Sequence, residues 1–221
     1  MADKVVLLSS WASVFGLRVQ IALAEKEVDY EFREEDLFDK SSLLLESNPV
    51  HKKVPVLIHN GKPVCESSVI IQYIDEVWTK GPSLLPKDPL QRANARFWTD
   101  FIGKTIYPCG SKIWRNKGDA QVQAAAKKEL IGILKQLEGE LGERPFFGGE
   151  TLGYVDIALV PFSRWFYTYE TFGRFSIEKE CPKLMAWVRR CNDRESVSKV
   201  LPDPHKVYQR NCGLKKRLGL E

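Results

Sequence analysis

The 221-residue chain is poor in the residues on which most metal and redox sites depend. It has three histidines and five widely spaced cysteines, with no Cys-x-x-Cys pair and no His-Glu-x-x-His motif. An odd number of dispersed cysteines argues against a disulfide framework and a zinc ribbon, and it fits a reducing cytosol. We therefore expect a cytosolic protein with no dedicated metal site.

Long apolar runs and nucleotide motifs are also missing. No apolar run approaches the ~18 residues of a membrane span, and the first residues lack the apolar segment of a secretory signal. There is no Walker or dinucleotide-binding glycine fingerprint. The net charge of +4 is small, and the one dense basic run, Lys215–Arg217, indicates a solvated helix end. We expect neither a membrane nor a nucleic-acid partner.

The first third of the chain mixes strand and helix periodicities. The predicted elements are a strand at Val5–Leu8, a helix from Val14, a strand at Tyr30–Arg33, a short helix at Ser41–Glu46, a hairpin around Asn60-Gly61 and a helix opened by Glu66-Ser67-Ser68. The first helix shows an apolar face of Val14, Leu17, Ile21 and Ala24, with Arg18 and Glu25 assigned elsewhere. The order βαβαββα over residues 1–78 implies a parallel strand pair and an antiparallel edge.

The rest of the chain is predicted to be helical. Residues 79–88 hold two prolines and a glycine, and Pro89 follows directly, which is typical of a linker. In residues 89–221 apolar side chains recur at helical spacing, and the nearly continuous apolar run 155–166 predicts a central buried helix. The fold class is therefore a small α/β domain followed by an all-helical domain.

Two dipeptides in the first domain suggest a peptide-binding cleft. Pro55 begins a strand, where it is either an ordinary trans proline or a cis one that frees the Val54 backbone to pair with an extended peptide. Ser67 stands at a predicted helix N-cap, where it either caps the helix or binds a carboxylate with the helix dipole. Glu66 beside it would hold an ammonium group.

Lys40, Lys53 and Ser13 extend this hypothesis. Each lysine alone is typical of a solvated surface, but together they would hold a second carboxylate. Ser13 either caps the first helix or donates a hydrogen bond to a ligand thiolate, which would lower the pKa of that thiol. The implied ligand is a short peptide with an amino-acid head and a free carboxylate tail.

Three segments resemble a known family. The strings WASVFGLRVQIALAEK, NPVHKKVPVLIHNGKPVCESSVIIQYIDE and LGYVDIALVPF are similar to those of cytosolic glutathione transferases, in particular the plant tau class. The resemblance covers essentially the whole chain. It implies a thioredoxin-like glutathione-binding domain, a helical domain carrying most of the electrophile site, a homodimer, and glutathione as co-substrate without a metal.

The resemblance also implies residue roles. Ser13 corresponds to the catalytic serine, Lys40 and Lys53 to residues near the glycine carboxylate, and Val54, before a cis Pro55, to the backbone partner of the cysteinyl part. Glu66 and Ser67 correspond to the anchors of the γ-glutamyl group. The implied electrophile-site residues, for which core packing is the alternative, are Phe15, Leu37, Tyr107, Ser111, Trp114, Trp165 and Leu214. Glu76, Arg92 and Arg96 suit an interdomain or dimer contact.

Two positions depart from the family pattern. Val14 follows the catalytic serine where the family usually has proline, which presets φ for a first helical position. We expect the absence of this proline to loosen the Ser13 loop and to lower turnover without abolishing glutathione binding. Gly153 occupies a cap position usually held by Ser or Thr, and we expect a small effect on folding.

Three functions remain open from the sequence. The first is conjugation of glutathione to hydrophobic electrophiles in detoxification and stress responses, with peroxide reduction as a possible side activity. The second is a redox enzyme that forms a mixed disulfide with glutathione, but Ser13 stands where it needs a cysteine, and Cys65, next to Glu66 near the cleft, is typical of a buried strand residue. The third is a carrier of hydrophobic ligands or glutathione adducts.

Overall fold

The computed structural model describes residues 4–220 and confirms the predicted order of the first seven elements. They are β1 (Val5–Ser9), α1 (Val14–Glu25), β2 (Glu31–Glu34), α2 (Ser42–Ser47), β3 (Val56–His59), β4 (Lys62–Cys65) and α3 (Ser67–Val77). The four strands form one sheet in the order β2-β1-β3-β4. The β1–β2 pair is parallel, and the β1–β3 and β3–β4 pairs are antiparallel, as predicted.

The period of two along β1 explains how the sheet is covered on both faces. Leu7 points to the side of α1 and α3 and joins the main hydrophobic core, whereas Leu8 packs with Leu44 of α2 on the opposite side. Both leucines are fully buried. Because β1 lies in the middle of the sheet and is buried on both faces, its carboxyl end delivers Ser13 to a fixed position.

The remaining elements are helical. They are α4 (Pro89–Trp114), α5 (Ala120–Leu141), α6 (Tyr154–Leu159), α7 (Ser163–Gly173), α8 (Ile177–Glu180), α9 (Pro182–Asn192), α10 (Glu195–Ser198) and α11 (Pro204–Arg217). The sequence predicted one helix over the buried run 155–166, and this prediction was wrong. A 3-10 turn at Val160–Phe162 separates α6 from α7, because Pro161 cannot donate the next α-helical hydrogen bond. No helix among residues 4–220 is both long enough and apolar enough to cross a membrane.

Several predicted helix faces were wrong. Arg18 and Glu25 were assigned away from the apolar face of α1, yet both are buried, with Arg18 only 2% exposed. The spacing explains this, since Arg18 lies four residues after Val14 and three before Ile21, on the same face. Conversely, the apolar spacing in the sequence predicts inward faces that include Val69 and Val77 of α3 and Phe97 of α4, but these side chains are 50%, 40% and 61% exposed.

Buried polar contacts join the two parts of the chain. Lys26 and Asp75 form an ion pair at 2.7 Å with almost no exposed side-chain surface, and Asp75 also accepts the N–H groups of Leu84 and Leu85. Burial would raise the pKa of Asp75, but these hydrogen bonds outweigh it, and the net shift is downward. The segment that follows α3 is thereby attached to the α/β sheet unit.

A second buried carboxylate organises the helical part. Asp156 accepts hydrogen bonds from the N–H groups of Phe147, Gly148 and Gly153 and from the Trp187 indole. Gly153 is the N-cap of α6, as predicted, and a β-carbon there would lie 3.2 Å from the Gly148 Cα. The close approach of these two glycine backbones gives a physical reason for glycine at this cap.

Candidate functional site

Ser13 lies at the corner between β1 and α1. It is the N-cap of α1, with extended backbone dihedrals, and its Oγ accepts the N–H of Gly16 at 3.2 Å. The capping interpretation of Ser13 is therefore observed. Because the hydroxyl oxygen serves as the acceptor, the hydroxyl hydrogen remains free to donate to a ligand. Capping and ligand binding are compatible at this residue.

Gly16 brings the first turn of α1 against the end of β1. A β-carbon at Gly16 would lie 1.8 Å from the Ser9 Oγ and 3.0 Å from the Ser9 Cβ. Both residues are buried. Only glycine therefore fits at this contact. The close approach of Gly16 to Ser9 fixes the distance between the Ser13 loop and the end of β1.

The helical part holds the Ser13 loop from the other side. The Trp165 indole of α7 donates a hydrogen bond to the Ala12 carbonyl at 3.2 Å. Trp165 also lies 6.1 Å from the Tyr107 ring, which lies 5.8 Å from the Phe15 ring. These edge-to-face contacts place aromatic side chains from α1, α4 and α7 around Ser13.

An open cleft of about 290 Å³ lies beside this loop. Six of its lining residues were singled out from the sequence, and they come from three separate stretches of chain: Phe15, Lys53, Val54, Pro55, Glu66 and Ser67. The Val54–Pro55 peptide bond is cis. A larger cavity of about 450 Å³ lies next to Leu84, Trp98 and Arg144 and contains none of the predicted site residues.

Sequence reasoning missed His51, which also lines the cleft. Its Nε2 lies 3.8 Å from a carboxylate oxygen of Glu66, with both side chains about half exposed. The buried side chain of Asn48 positions this loop, because it accepts the His51 N–H and donates to the Lys53 carbonyl. The Asn48-Pro49 pair was the available signal for such a turn.

The start of α3 differs from the prediction in one respect. Ser67 was expected at the N-cap, but Glu66 is the N-cap and Ser67 is the first helical residue. Glu66 has φ +69°, a left-handed value that is uncommon for a residue with a β-carbon, and its side chain makes no capping bond. Such backbone strain is characteristic of ligand-binding sites. The first N–H groups of α3 therefore receive no side-chain acceptor at this cap.

Arg18 lies behind Ser67 and was the second residue that sequence reasoning missed. Its Nη1 donates to the Ser67 Oγ at 3.3 Å and its Nε to the Ala158 carbonyl at 2.8 Å. The guanidinium also stacks over Phe15 at 4.9 Å. Burial lowers the pKa of Arg18 to about 10, so the group stays charged at neutral pH. Its Nη2 has no hydrogen-bond partner among residues 4–220.

The remaining predicted residues are more dispersed. Lys40 is partly buried at the end of the 35–41 loop, outside the lining of the 290 Å³ cleft. Leu37 on the same loop is 38% exposed, and Leu214 is partly buried on α11. Trp114 is fully buried behind Trp165, at 6.2 Å between rings, which favours the core-packing alternative for Trp114. The Ser111 Oγ is buried without a hydrogen-bond partner among residues 4–220.

Two of the three charged residues predicted for an interdomain or dimer contact, Arg92 and Arg96, make hydrogen bonds to other residues of the same chain. Arg96 donates to the Gln72 side chain at 2.9 Å and so joins α4 to α3. Arg92 donates to the Pro86 carbonyl, and Glu76 is exposed. All five cysteines are free thiols. Burial, and then the Glu66 charge, raise the pKa of Cys65, which disfavours its thiolate.

Comparison with known proteins identifies the family of this chain. Residues 4–76 match the family model described as Glutathione S-transferase, N-terminal domain, and residues 98–195 match Glutathione S-transferase, C-terminal domain. The chain belongs to the glutathione S-transferase family. This membership confirms the glutathione transferase and the fold that the sequence predicted.

Two proteins of similar sequence are plant glutathione S-transferases. The transferase is 60% identical over 221 residues to Glutathione S-transferase U24 of Arabidopsis thaliana, with 100% of both chains covered. It is 59% identical over 220 residues to the probable glutathione S-transferase parC of Nicotiana tabacum, with 99% of each covered.

Solved structures support the class. The transferase superposes on rice GST1 in complex with glutathione with a TM-score of 0.92, at 52% identity and 98% coverage of both chains. It superposes on a tau-class glutathione S-transferase from mango, Mangifera indica, with a TM-score of 0.89, at 42% identity, covering 94% of this chain and 96% of that one. The tau-class resemblance is thereby confirmed.

Proposed function

We propose that this glutathione transferase conjugates the thiolate of glutathione to hydrophobic electrophiles, with Ser13 as the residue that stabilises the thiolate. The observation that carries the proposal is the Ser13 cap, whose oxygen accepts the Gly16 N–H while its hydrogen stays free. The sulfur forms a bond to the electrophilic carbon, and the leaving group departs with the electron pair of its bond. Ser13 holds the charged form of the sulfur before attack.

The start of α3 is proposed to bind the γ-glutamyl head. Its carboxylate would accept the Ser67 hydroxyl and the uncapped N–H groups of α3, while Glu66 attracts the ammonium group. Arg18 supports the assignment, because its buried guanidinium donates a hydrogen bond to the Ser67 oxygen and leaves the Ser67 hydroxyl hydrogen for the ligand. An anion at this position would also partly neutralise the buried guanidinium.

The other end of glutathione is proposed to lie along the opposite wall of the cleft. The Val54 backbone would pair with the cysteinyl part, next to Pro55, and Lys53 would attract the glycine carboxylate. Lys40 is proposed as the second cation at this end, at the margin of the cleft.

Aromatic side chains next to Ser13 are proposed to receive the electrophile. The Tyr107 ring contacts the rings of both Phe15 and Trp165, and the partly exposed Phe15 and Tyr107 offer flat apolar surface near Ser13, with Trp165 packed against them. Leu37, Ser111 and Leu214 are proposed to bound this site, and Trp114 to support Trp165 from within the core. Holding both substrates in one cleft supplies the proximity that conjugation needs.

The test is steady-state conjugation of glutathione to 1-chloro-2,4-dinitrobenzene from pH 5.5 to 9, with the wild type and Ser13→Ala. We expect the wild-type rate to titrate well below the pKa of free thiols, about 8.5, and Ser13→Ala to displace that limb upward. Glutathione affinity should stay within a few-fold. Ser198→Ala, which removes an exposed hydroxyl on α10, is the matched control.

Two outcomes would redirect the proposal. Equal pH profiles for the wild type and Ser13→Ala would remove Ser13 from thiolate stabilisation. Glutathione binding with negligible turnover in both proteins would favour the carrier function that the sequence left open.

We also propose that the enzyme is a cytosolic homodimer with a glutathione-binding domain at residues 1–78, a linker at 79–88 and a helical domain at 89–221, acting in detoxification. Free thiols at all five cysteines fit a reducing compartment. The exposed apolar side chains of Val69 and Phe97 fit a subunit contact. Sedimentation equilibrium of the wild type and of Val69→Glu tests the dimer, which the charge should weaken.

A further inference from the structure

His51 lines the 290 Å³ cleft, and the proposed function gives it no role. Its Nε2 lies 3.8 Å from a carboxylate oxygen of Glu66, and both side chains are about half exposed. A separation of 3.8 Å is longer than a hydrogen bond but within the range of an ion pair. Rotation about the side-chain bonds of either residue shortens it. His51 is therefore within reach of the carboxylate that is proposed to bind the glutathione ammonium group.

The loop that carries His51 is fixed from the protein interior. Asn48 is buried, and its side chain accepts the His51 N–H at 3.1 Å and donates to the Lys53 carbonyl at 2.9 Å. Its backbone carbonyl accepts the Lys52 N–H at 2.8 Å, and Lys52 has a left-handed φ of +51°. Because one buried residue holds both ends of this segment, His51 and Lys53 line the cleft from fixed backbone positions.

The Glu66 carboxylate has little else to orient it. Glu66 is the N-cap of α3, but its side chain makes no capping hydrogen bond. Among residues 4–220 His51 is the only partner of this carboxylate in an ion pair or hydrogen bond. A half-exposed glutamate without a partner samples several rotamers, and restricting them on binding costs conformational entropy. A partner on one carboxylate oxygen reduces that cost and leaves the second oxygen for a ligand.

We propose that His51 is a positioning residue for glutathione, which holds the Glu66 carboxylate in the orientation that binds the ammonium group of the γ-glutamyl head. The inference rests on the proposed function, in which Glu66 attracts that ammonium group. Neutral imidazole donates from one ring nitrogen. Nε2–H therefore donates to one carboxylate oxygen while the ammonium group donates to the other. His51 thereby strengthens the preference for thiols that carry a free amine at this position.

The experiment compares two thiols that differ only in that amine. They are glutathione and glutaryl-cysteinylglycine, which keeps the thiol and both carboxylates but has hydrogen in place of the ammonium group. Both are conjugated to 1-chloro-2,4-dinitrobenzene at pH 8, where an ordinary histidine is neutral. With either thiol the sulfur forms a bond to the ring carbon, and chloride leaves with the electron pair of its bond. The readout, the amine preference, is the ratio of kcat/KM for glutathione to that for the analogue.

We expect an amine preference of about tenfold in the wild type, the scale of one charge-assisted hydrogen bond. His51→Leu should lower it about threefold, the scale of one exposed charged pair, by raising the KM for glutathione with little change in kcat. His51→Gln should keep part of the preference, because it keeps an N–H donor. His205→Gln, which replaces an exposed histidine on α11, is the matched control and should leave the preference unchanged.

The outcomes separate this inference from the proposed function. An equal amine preference in the wild type and His51→Leu overturns the role of His51, even if the variant is slower, because a disturbed loop weakens both thiols alike. A preference that survives Glu66→Gln removes Glu66 as the ammonium anchor and His51 with it.

If the wild type conjugates neither thiol, the transferase proposal fails, but His51 is still testable. Calorimetric dissociation constants of the two thiols then supply the amine preference. The same ratio of these constants in the wild type and His51→Leu overturns the role of His51, and a ratio about threefold smaller in the variant supports it.

Discussion

The Trp165 indole donates a hydrogen bond to the Ala12 carbonyl at 3.2 Å, across 153 residues of sequence. This bond joins α7 of the helical part to the residue before Ser13. The bond makes the position of the proposed catalytic hydroxyl depend on the packing of the helices as well as on β1 and α1. Trp165 is only 4% exposed, so the bond is shielded from water.

Replacement of Trp165 by phenylalanine should loosen the Ser13 loop while keeping an aromatic ring in place. We expect loss of about 1 kcal/mol of unfolding free energy, the usual contribution of one hydrogen bond, and a several-fold lower kcat. The KM for glutathione should change less, since the α3 end of the cleft is untouched. Trp98→Phe makes the same chemical change away from Ser13, and an equal loss of kcat there would contradict the assignment.

Substitution of Gly16 by alanine should be destabilising because the new β-carbon meets the Ser9 Oγ at 1.8 Å. We expect a cost of about 1–3 kcal/mol, as for other overpacked cores. The double variant Ser9→Ala, Gly16→Ala removes the closest atom but leaves the Ser9 Cβ at 3.0 Å. Its urea midpoint should therefore recover only in part, and Ser9→Gly should recover more. No rescue by either change would show that the contact with Ser9 does not cause the loss.

Replacement of Val14 by proline tests whether the departure from the family pattern lowers activity. Val14 is the first residue of α1, a position where the N–H has no helical acceptor and where proline is well tolerated. We expect a gain of about 0.4–1 kcal/mol in unfolding free energy and a higher kcat, because the Ser13 loop loses freedom. Val14 is also 1% exposed. A lower urea midpoint would mean that its side-chain packing outweighs the backbone effect.

The Lys26–Asp75 ion pair should make stability depend on acid pH. The folded pKa of Asp75 is lowered, so its contribution is fully present above the unfolded value, about 3.9, and is lost as pH falls through the folded value. Asp75→Asn should cost about 3 kcal/mol at neutral pH, because it leaves Lys26 buried without its partner.

Urea unfolding from pH 8 down to pH 3 measures this effect. The difference between the wild type and Asp75→Asn should stay constant to about pH 5 and shrink below about pH 4. Asp29→Asn, at an exposed position, is the control and should follow the wild type throughout. A difference that stays constant down to pH 3 would exclude Asp75 as the titrating group.

Much of this protein was determined by local sequence. The short apolar run of β1, the Asn60-Gly61 turn and the spacing of apolar residues in α5 each depend on neighbours a few positions apart, so the βαβαββα order and the following helices were predictable. Capping by Ser13 and by Gly153 is equally local, because a cap and its N–H donors lie within one turn. Five residues of the cleft were recognised because their residue types suit a peptide with charged ends, and the sixth, Phe15, was implied by the family resemblance.

Only the tertiary structure decided the rest, because those contacts join residues that are distant in sequence. The pairing of Arg18 with Ser67 and the bond from Trp165 to Ala12 arise only when α1, α3 and α7 meet. The N-cap of α3 is Glu66 and not the predicted Ser67, because Glu66 adopts a left-handed φ of +69°. The surrounding fold holds this strained backbone conformation, which local sequence propensity does not predict. Periodicity identifies which face of a helix is apolar. The role of a charged residue on that face, such as Arg18, follows only from the distant groups that it contacts in the folded chain.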